Sequence, residues 1–190
     1  MTLFDPAQLV DVREGAKYLL GCIIVRTLPD GKVLKSRIVE TESYHQEDPA
    51  SHTFNGQSPR NRAMFGKPGY AYVYFTYGIH WCFNVTAGPV GYGAGILIRA
   101  AEPLAGLEYM KKQRGLEDVR QLTNGPAKLA QALGITKELY GHDLGKPPLQ
   151  LHKPDVRNFE VIETTRIGIS KAVDEIARFY IKDNDFISKK

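Results

Sequence analysis

Tyr70-Ala-Tyr-Val-Tyr-Phe-Thr76, then Tyr77-Gly78, then Ile79-His-Trp-Cys-Phe-Asn-Val-Thr86 make one run rich in aromatic and β-branched residues around a turn. The run reads as a strand from Tyr70 to Thr76, a tight reversal, and a partner strand from Trp81 to Thr86. Lys67-Pro68-Gly69 supplies a turn in front of it. Outward from there the same pattern repeats. Gly95 to Ala100 is a short strand. Upstream, Cys22 to Arg26 is an apolar strand, Pro29-Asp30-Gly31 a hairpin turn, and Val33 to Tyr44 a second strand. Val161 to Ile169 and Phe179 to Ile181 are late strands. Asp5-Pro6 predicts a cap and first-turn proline for a helix carrying Leu9, Val10, Val12, Ala16, Leu19 and Leu20. Gly15 interrupts that helix and Gly21 ends it. Pro103 to Arg114 and Pro126 to Leu133 read as further helices. Strands joined by short turns predict a mixed α+β fold: a single compact domain, residues 1–190, around a curved, mainly antiparallel β-sheet with surrounding helices. No repeat, low-complexity tract or linker divides the chain.

The 190 residues carry a net charge of +4, a pI near 9.0, 43% hydrophobic and 24% charged residues. Those proportions exclude a disordered chain, a collagen-like chain and a disulfide scaffold. No stretch reaches the ~18–20 apolar residues of a membrane span, so no membrane association is expected. The opening Met-Thr-Leu-Phe-Asp-Pro has no basic region followed by an apolar run, which points away from a secretory signal and towards the cytoplasm. Cys22 and Cys82 read as free thiols.

The distribution of charge is more informative than its sum. From Pro49 to Ala101 no Asp or Glu occurs, 53 consecutive residues in a chain with 21 acids. The same stretch holds Arg60, Arg62, Lys67, Arg99, His52 and His80, and 10 of the 19 aromatic residues. Cations bind phosphates and aromatic faces stack on bases, so this composition suits a nucleic-acid surface. A buried sheet also gathers aromatics and excludes acids, and composition alone does not separate the two.

Within Arg37-Ile-Val-Glu-Thr-Glu-Ser-Tyr44, alternation places Ile38, Glu40, Glu42 and Tyr44 on one strand face. Such carboxylates usually face solvent, but Glu42 stands at the edge of the acid-free aromatic stretch, where a carboxylate can serve as general base on water. The P-loop and the Gly-x-Ser-x-Gly elbow are missing, and Gly91, Gly93 and Gly95 follow Pro89 and precede a strand, the wrong context for a dinucleotide fold. His80 and Cys82 alternate on a strand within possible reach of His45 or His52. No metal-ligand spacing supports them, so neither metal nor other cofactor is expected.

Arg37-Ile-Val-Glu-Thr-Glu-Ser-Tyr44, Pro59-Arg-Asn-Arg62, Met64-Phe-Gly-Lys-Pro-Gly69, Tyr72-Val-Tyr74 through Tyr77-Gly78, Leu97-Ile-Arg-Ala100, Glu102-Pro-Leu104 and Gly125-Pro-Ala-Lys-Leu129 occur in order. Together they resemble the alkyladenine (3-methyladenine) DNA glycosylase family of the mammalian type, over nearly the whole chain from about Val10 to about Ile187. The resemblance implies a monofunctional DNA glycosylase of base excision repair. Such an enzyme flips alkylated or deaminated purines (3-methyladenine, 7-methylguanine, hypoxanthine, ethenoadenine) out of double-stranded DNA and hydrolyses the N-glycosidic bond. A monomer is expected, since nothing in the sequence demands more, working on DNA in the bacterial nucleoid.

By that resemblance Glu42 matches the catalytic base, and Arg99 and the carbonyl of Ile167 match groups that hold the attacking water. Tyr44, His52 and Tyr74 match the pocket around the flipped base, His52 also through its backbone N–H. Asn84 matches a residue that crowds the exocyclic amine of guanine, and Tyr77 the wedge that fills the gap in the duplex. Arg60, Arg62, Lys67 and Lys128 are candidate phosphate contacts, with an ordinary solvated surface as the alternative. Tyr72, Phe75 and Trp81 read as core, and Glu40 as paired or solvated. No lysine matches a catalytic position, so water is the expected nucleophile and no Schiff base forms. The loop from Tyr44 to His52 is one residue shorter than in mammalian relatives, and Asn84 to Arg99 two longer. The wedge turn ends Ile79-His80 where those relatives have Met-Tyr. The long N-terminal extension of mammalian members has no counterpart, which suggests a compact bacterial-type member. Two other readings compete: a catalytically silent module that binds damaged DNA, for which Glu42 would be superfluous, and a small-molecule hydrolase, for which the acid-free aromatic stretch would be.

Overall fold

Eight strands build the sheet: β1 (Ile23–Thr27), β2 (Val33–Tyr44), β3 (Ala71–Thr76), β4 (His80–Thr86), β5 (Gly95–Ala105), β6 (Leu149–His152), β7 (Val161–Thr165) and β8 (Ile176–Ile181). This computed structural model describes residues 2–76 and 78–189. The spatial order is β3-β4-β5-β2-β1-β6, with β8 beside β2 and β7 beside β8. Every pairing is antiparallel, and the sheet curls into a half-barrel.

The 12-residue strand β2 organises the rest. Its first half pairs with β1, Ile23 opposite Arg37 and Thr27 opposite Val33. Farther along, Glu40 to Glu42 face Tyr180 to Arg178 of β8, while β5 follows the other edge. Residues 40–42 therefore have a strand on each side. Helix α1 (Val12–Leu19) lies across this region, and Thr41 Oγ1 donates to the Ala16 carbonyl at 2.9 Å. Leu19, Leu20, Ile38, Phe83, Ile98 and Phe179 are fully buried around it. Helices α2 (Leu107–Arg114) and α3 (Pro126–Ala132) pack on each other, and α3 covers β4 and β5.

The mixed α+β architecture agrees with the reading of the sequence, and several boundaries differ. Asp5 caps only a 3-10 turn, Pro6–Leu9, while Asp11 caps α1 separately by accepting from the Arg13 and Glu14 amides. Gly15 does not break α1. It lets the helix pass close to the preceding turn, where a Cβ would meet Leu9 Cα at 3.0 Å. β5 runs on to Ala105, with Pro103 opposite Ser36, and α2 begins only at Leu107. Pairing of β5 with β4 starts and ends within Gly95 to Leu97, so Pro103 has an open edge that needs no N–H. β7 stops at Thr165 rather than Ile169, because Arg166 turns inward, and β8 begins at Ile176 rather than Phe179. β6 was not anticipated. Cys22 and Cys82 are both buried free thiols. Among the described residues no helix is long and apolar enough to cross a membrane.

Candidate active site

The β3–β4 hairpin makes the first wall. Its ladder pairs Tyr72 with Asn84, Tyr74 with Cys82 and Thr76 with His80. Period-two alternation sets these six side chains on one face, where they line a cleft of about 540 Å³. Val73, Phe83 and Val85 point the other way into the core. Tyr44, Leu97 and Arg99 line the cleft from β2 and β5, and Ile167 to Lys171 from the segment after β7. Tyr72 is thus a correction: it is 1% exposed, as a core residue should be, yet it belongs to the cleft wall. Phe75 is another. It lies on the core side of β3 but past the end of the core, 44% exposed, against half-buried Trp81 at 4.7 Å between ring centroids.

Three rings form a cluster at the mouth. The His52 ring meets Tyr74 edge-on at 4.5 Å, and Tyr72 stacks beside Tyr74 at 5.5 Å. His52 Nδ1 and the Tyr72 hydroxyl share a hydrogen bond of 2.9 Å. Surrounding protein, and then the Arg60 guanidinium, push the His52 imidazolium down to about 4. The ring is therefore neutral near pH 7 although the residue stands open to solvent. Burial pushes the Tyr72 phenol up to about 12 and raises that of Tyr74 further, so both remain hydroxyl donors. The Arg60 guanidinium sits over the Tyr74 ring at 5.5 Å, and Asn84 Nδ2 donates to the Tyr72 carbonyl at 3.2 Å.

Behind the cleft wall Glu42 is fully buried, lines no part of the cleft itself, and collects three donors from residues that do. Its Oε2 accepts from the Tyr44 hydroxyl at 2.8 Å and Arg99 Nη1 at 3.2 Å, and its Oε1 from the Ile167 amide at 2.8 Å. Burial, then the Glu42 charge, raises the Tyr44 phenol well above its usual range. Arg99 Nη1 also lies 3.4 Å from the Ile167 carbonyl. The β2–β5 register explains how Arg99 arrives there. Glu40 faces Ala100 and Thr41 faces Ile98, so the ladder skips Arg99. An irregularity of this kind re-aims a side chain at a site. Ile167 is delivered by Arg166, whose side chain is fully buried against Asp48. Arg166 also donates to the Ser43 carbonyl at 3.1 Å and stacks on Tyr44 at 4.6 Å. Gly168, with φ 76°, then reverses the chain.

The structure thus brings Arg99, Tyr44, His52, Tyr74, Asn84 and Ile167 into one cleft, with Glu42 buried behind its wall and bonded to Tyr44, Arg99 and Ile167. Tyr77, the candidate wedge, lies outside the described residues. Arg62 and Lys67 are exposed and line no part of the cleft, whereas Lys128 Nζ is engaged by Asn124 Oδ1 at 2.9 Å. Glu40 is paired, as expected, with Arg178. His80, Cys82 and His52 share the cleft, but His45 turns to Glu47 and Glu175. Among the described residues no three His, Cys, Asp or Glu side chains are grouped to hold a metal ion. The sequence reading missed Asp48, Arg166 and Arg178. Asp48 is the last acid before the acid-free stretch and Arg166 immediately precedes Ile167, and those are the signals that were available.

Comparison with known proteins adds an independent line. The family profile described as Methylpurine-DNA glycosylase matches residues 7–185. A relative in Carboxydothermus hydrogenoformans is 50% identical over 182 residues, 95% of each chain. One in Nitrosospira multiformis is 52% identical over 183 residues, covering 96% of this chain and 90% of its own. One in Methanoculleus marisnigri is 45% identical over 179 residues, 92% of each chain. All three carry the name "Putative 3-methyladenine DNA glycosylase".

Proposed function

The chain belongs to the methylpurine-DNA glycosylase family, and from that premise we propose that its cleft receives a flipped, damaged purine and that Glu42 activates the water that releases it. The protein is a DNA glycosylase, a hydrolase of N-glycosyl bonds acting on DNA in base excision repair. The observation that carries the finer reading is a buried carboxylate bonded to Arg99 and the Ile167 amide, directly behind the wall of an aromatic cleft that Arg99 and Ile167 line.

Residues 1–190 act as one monomeric glycosylase domain on duplex DNA. Leaving the stack costs a base a few kcal/mol, least for a weakly paired lesion. Stacking on aromatic faces returns roughly 1–3 kcal/mol per base, and Tyr44, His52 and Tyr74 supply those faces. Neutral His52 offers its backbone N–H to the base edge, and Asn84 disfavours the exocyclic amine of guanine. Tyr77 fills the gap left in the duplex.

A water held by Glu42, Arg99 Nη1 and the Ile167 carbonyl faces the sugar C1′. As the C1′–N bond breaks with oxocarbenium character, the bonding pair leaves with the base. The water oxygen bonds to C1′ and its proton passes to Glu42. A base already cationic through methylation departs neutral, whereas a neutral lesion such as hypoxanthine departs as its anion and takes up a proton from water. Groups already oriented by the fold act with little reorganisation. Arg60, Arg62, Lys67 and Lys128 contribute phosphate contacts around this centre.

The test is incubation with duplex oligonucleotides each carrying 3-methyladenine, 7-methylguanine, hypoxanthine or ethenoadenine. The reading expects release of at least one damaged base and an intact abasic strand, with no adduct trapped by borohydride. A trapped adduct or a cut strand would replace water by an amine nucleophile.

A further inference from the structure

Two residues before Glu42 on the same strand stands a second carboxylate that the reading above leaves unused. Glu40 is fully buried and does not line the cleft. It accepts from Arg178 Nη1 at 2.8 Å, from Ser188 Oγ at 2.9 Å and from the Ser188 amide at 2.6 Å. Its Oε1 also lies 3.5 Å from Arg99 Nε, a buried donor with no hydrogen-bond partner among the described residues. Arg178 continues the chain of contacts, donating Nη1 to the Lys189 carbonyl at 3.0 Å and Nε to the Thr165 carbonyl at 2.9 Å. The C-terminal segment therefore meets Glu40 directly, and the end of β7 meets it through Arg178.

Buried ion pairs are poor devices for stability, since apolar residues of the same volume often do as well or better. A cluster of Glu40, Arg178 and Arg99 touching Glu42 calls for another reason. Arginine and a single carboxylate favour a two-pronged pair, with parallel N–H···O bonds to both oxygens. Arg99 does not make that pair with Glu42. It gives Glu42 one bond, from Nη1 to Oε2, and turns Nε towards Glu40. Glu42 Oε1 stays with the Ile167 amide, and Nη1 stays within reach of the Ile167 carbonyl.

We propose that Glu40 is a positioning residue for base removal, which shares Arg99 with Glu42 and so keeps Arg99 Nη1 directed at the water site, with Ser188 fixing Glu40 from the C-terminal segment. The proposal rests on the reading of Glu42 and Arg99 as the groups that hold the water. Without the Glu40 charge, Arg99 closes on Glu42 as a two-pronged pair and the water loses its place. DNA binding is expected to be unchanged, because Glu40 is none of the residues proposed to contact the flipped base or the phosphates.

Single-turnover excision from a hypoxanthine duplex, followed against enzyme concentration, separates the maximal rate from the half-saturating concentration. Wild type, Glu40→Gln, Ser188→Ala and Glu42→Gln are compared as full chains. Glu40→Gln is expected to lower the maximal rate about a hundredfold, the scale of a small misplacement of a reacting group. Ser188→Ala keeps the backbone bond to Glu40 and is expected to lower the rate about fivefold. Half-saturation should stay within about twofold in both. Full rates in both variants would overturn the proposal, as would half-saturation rising in step with the fall in rate, the pattern of a loosened fold. If Glu40→Gln does not fold, Ser188→Ala decides alone, and an unchanged rate refutes the role. Activity surviving in Glu42→Gln would remove the underlying reading instead. An inactive Glu42→Gln beside a fully active Glu40→Gln would remove only the role of Glu40.

Discussion

Asp48→Asn should both destabilise the protein and slow it. The Asp48 and Arg166 side chains are both 0% exposed. Arg166 Nη2 donates to Asp48 Oδ1 at 3.0 Å and to Glu175 Oε2 at 2.9 Å. The substitution would remove the negative charge and leave a buried guanidinium whose remaining acidic partner, Glu175, is 37% exposed. Removing one side of a buried pair costs about 3–5 kcal/mol. Glu175 offsets part of that, so the lower end, about 3 kcal/mol, is the working figure. For a chain of this size each kcal/mol shifts Tm by about 2–4 °C, so the midpoint should fall by about 6–12 °C. Arg166 also carries Ile167, whose amide holds Glu42. Excision measured well below both midpoints should therefore slow at least about tenfold, as reacting groups lose alignment. Calorimetry on both proteins in one buffer gives the first number and single-turnover base release the second. A Tm within about 2 °C of wild type would refute the energetic argument. A large fall in Tm with an unchanged rate would refute the link from Arg166 to the site.

Gly15→Ala should destabilise by about 1–2 kcal/mol despite alanine's higher helix propensity, because the new Cβ would meet Leu9 Cα at 3.0 Å and Ile96 Cδ1 at 3.1 Å. A raised Tm would contradict that close approach. His52 should titrate near pH 4 by NMR, against an ordinary 6.5. Its folded pKa is depressed, so the folded state binds fewer protons, and its contribution to stability is present above about pH 6.5 and lost as pH falls towards 4. A midpoint between 6 and 7 would mean that the ring is not held as described. Arg60→Ala should weaken duplex binding and reduce the slope of log affinity against log salt by about one. An unchanged slope would leave Arg60 as a packing partner of Tyr74 and no phosphate contact.

The hairpins were legible because they have period two, whereas the candidate site residues were assigned by resemblance to a family. Val33 to Tyr44 and the two arms around Tyr77-Gly78 alternate or fill with β-formers, and the strands appear where the pattern puts them. Tyr72 shows where that stops. A strand apolar on both faces does not announce which one borders a cavity, and only the curl of the sheet opens a cleft over Tyr72 while closing the core over Val73. Pro103 misled for a local reason, since proline opens helices as readily as it sits on an unpaired edge. β6 has only four residues, with Leu149 and Leu151 inward, too short for periodicity to register. Asp48 and Arg166 lie 118 positions apart, and no local pattern marks such a pair. Glu40 and Glu42 read alike on one face, and their different distant partners, Arg178 and Ser188 against Ile167, come from segments that the fold alone brings together.

The central claim is that Glu42 activates the water. Its most direct test is single-turnover base release from one hypoxanthine duplex by wild type and by Glu42→Gln, with binding of the same duplex measured for both. Glutamine preserves shape and most hydrogen bonds but cannot take the proton. Release by wild type alone, a loss of about a hundredfold or more in Glu42→Gln and equal binding are the results predicted. Release by Glu42→Gln at the wild-type rate would contradict the account.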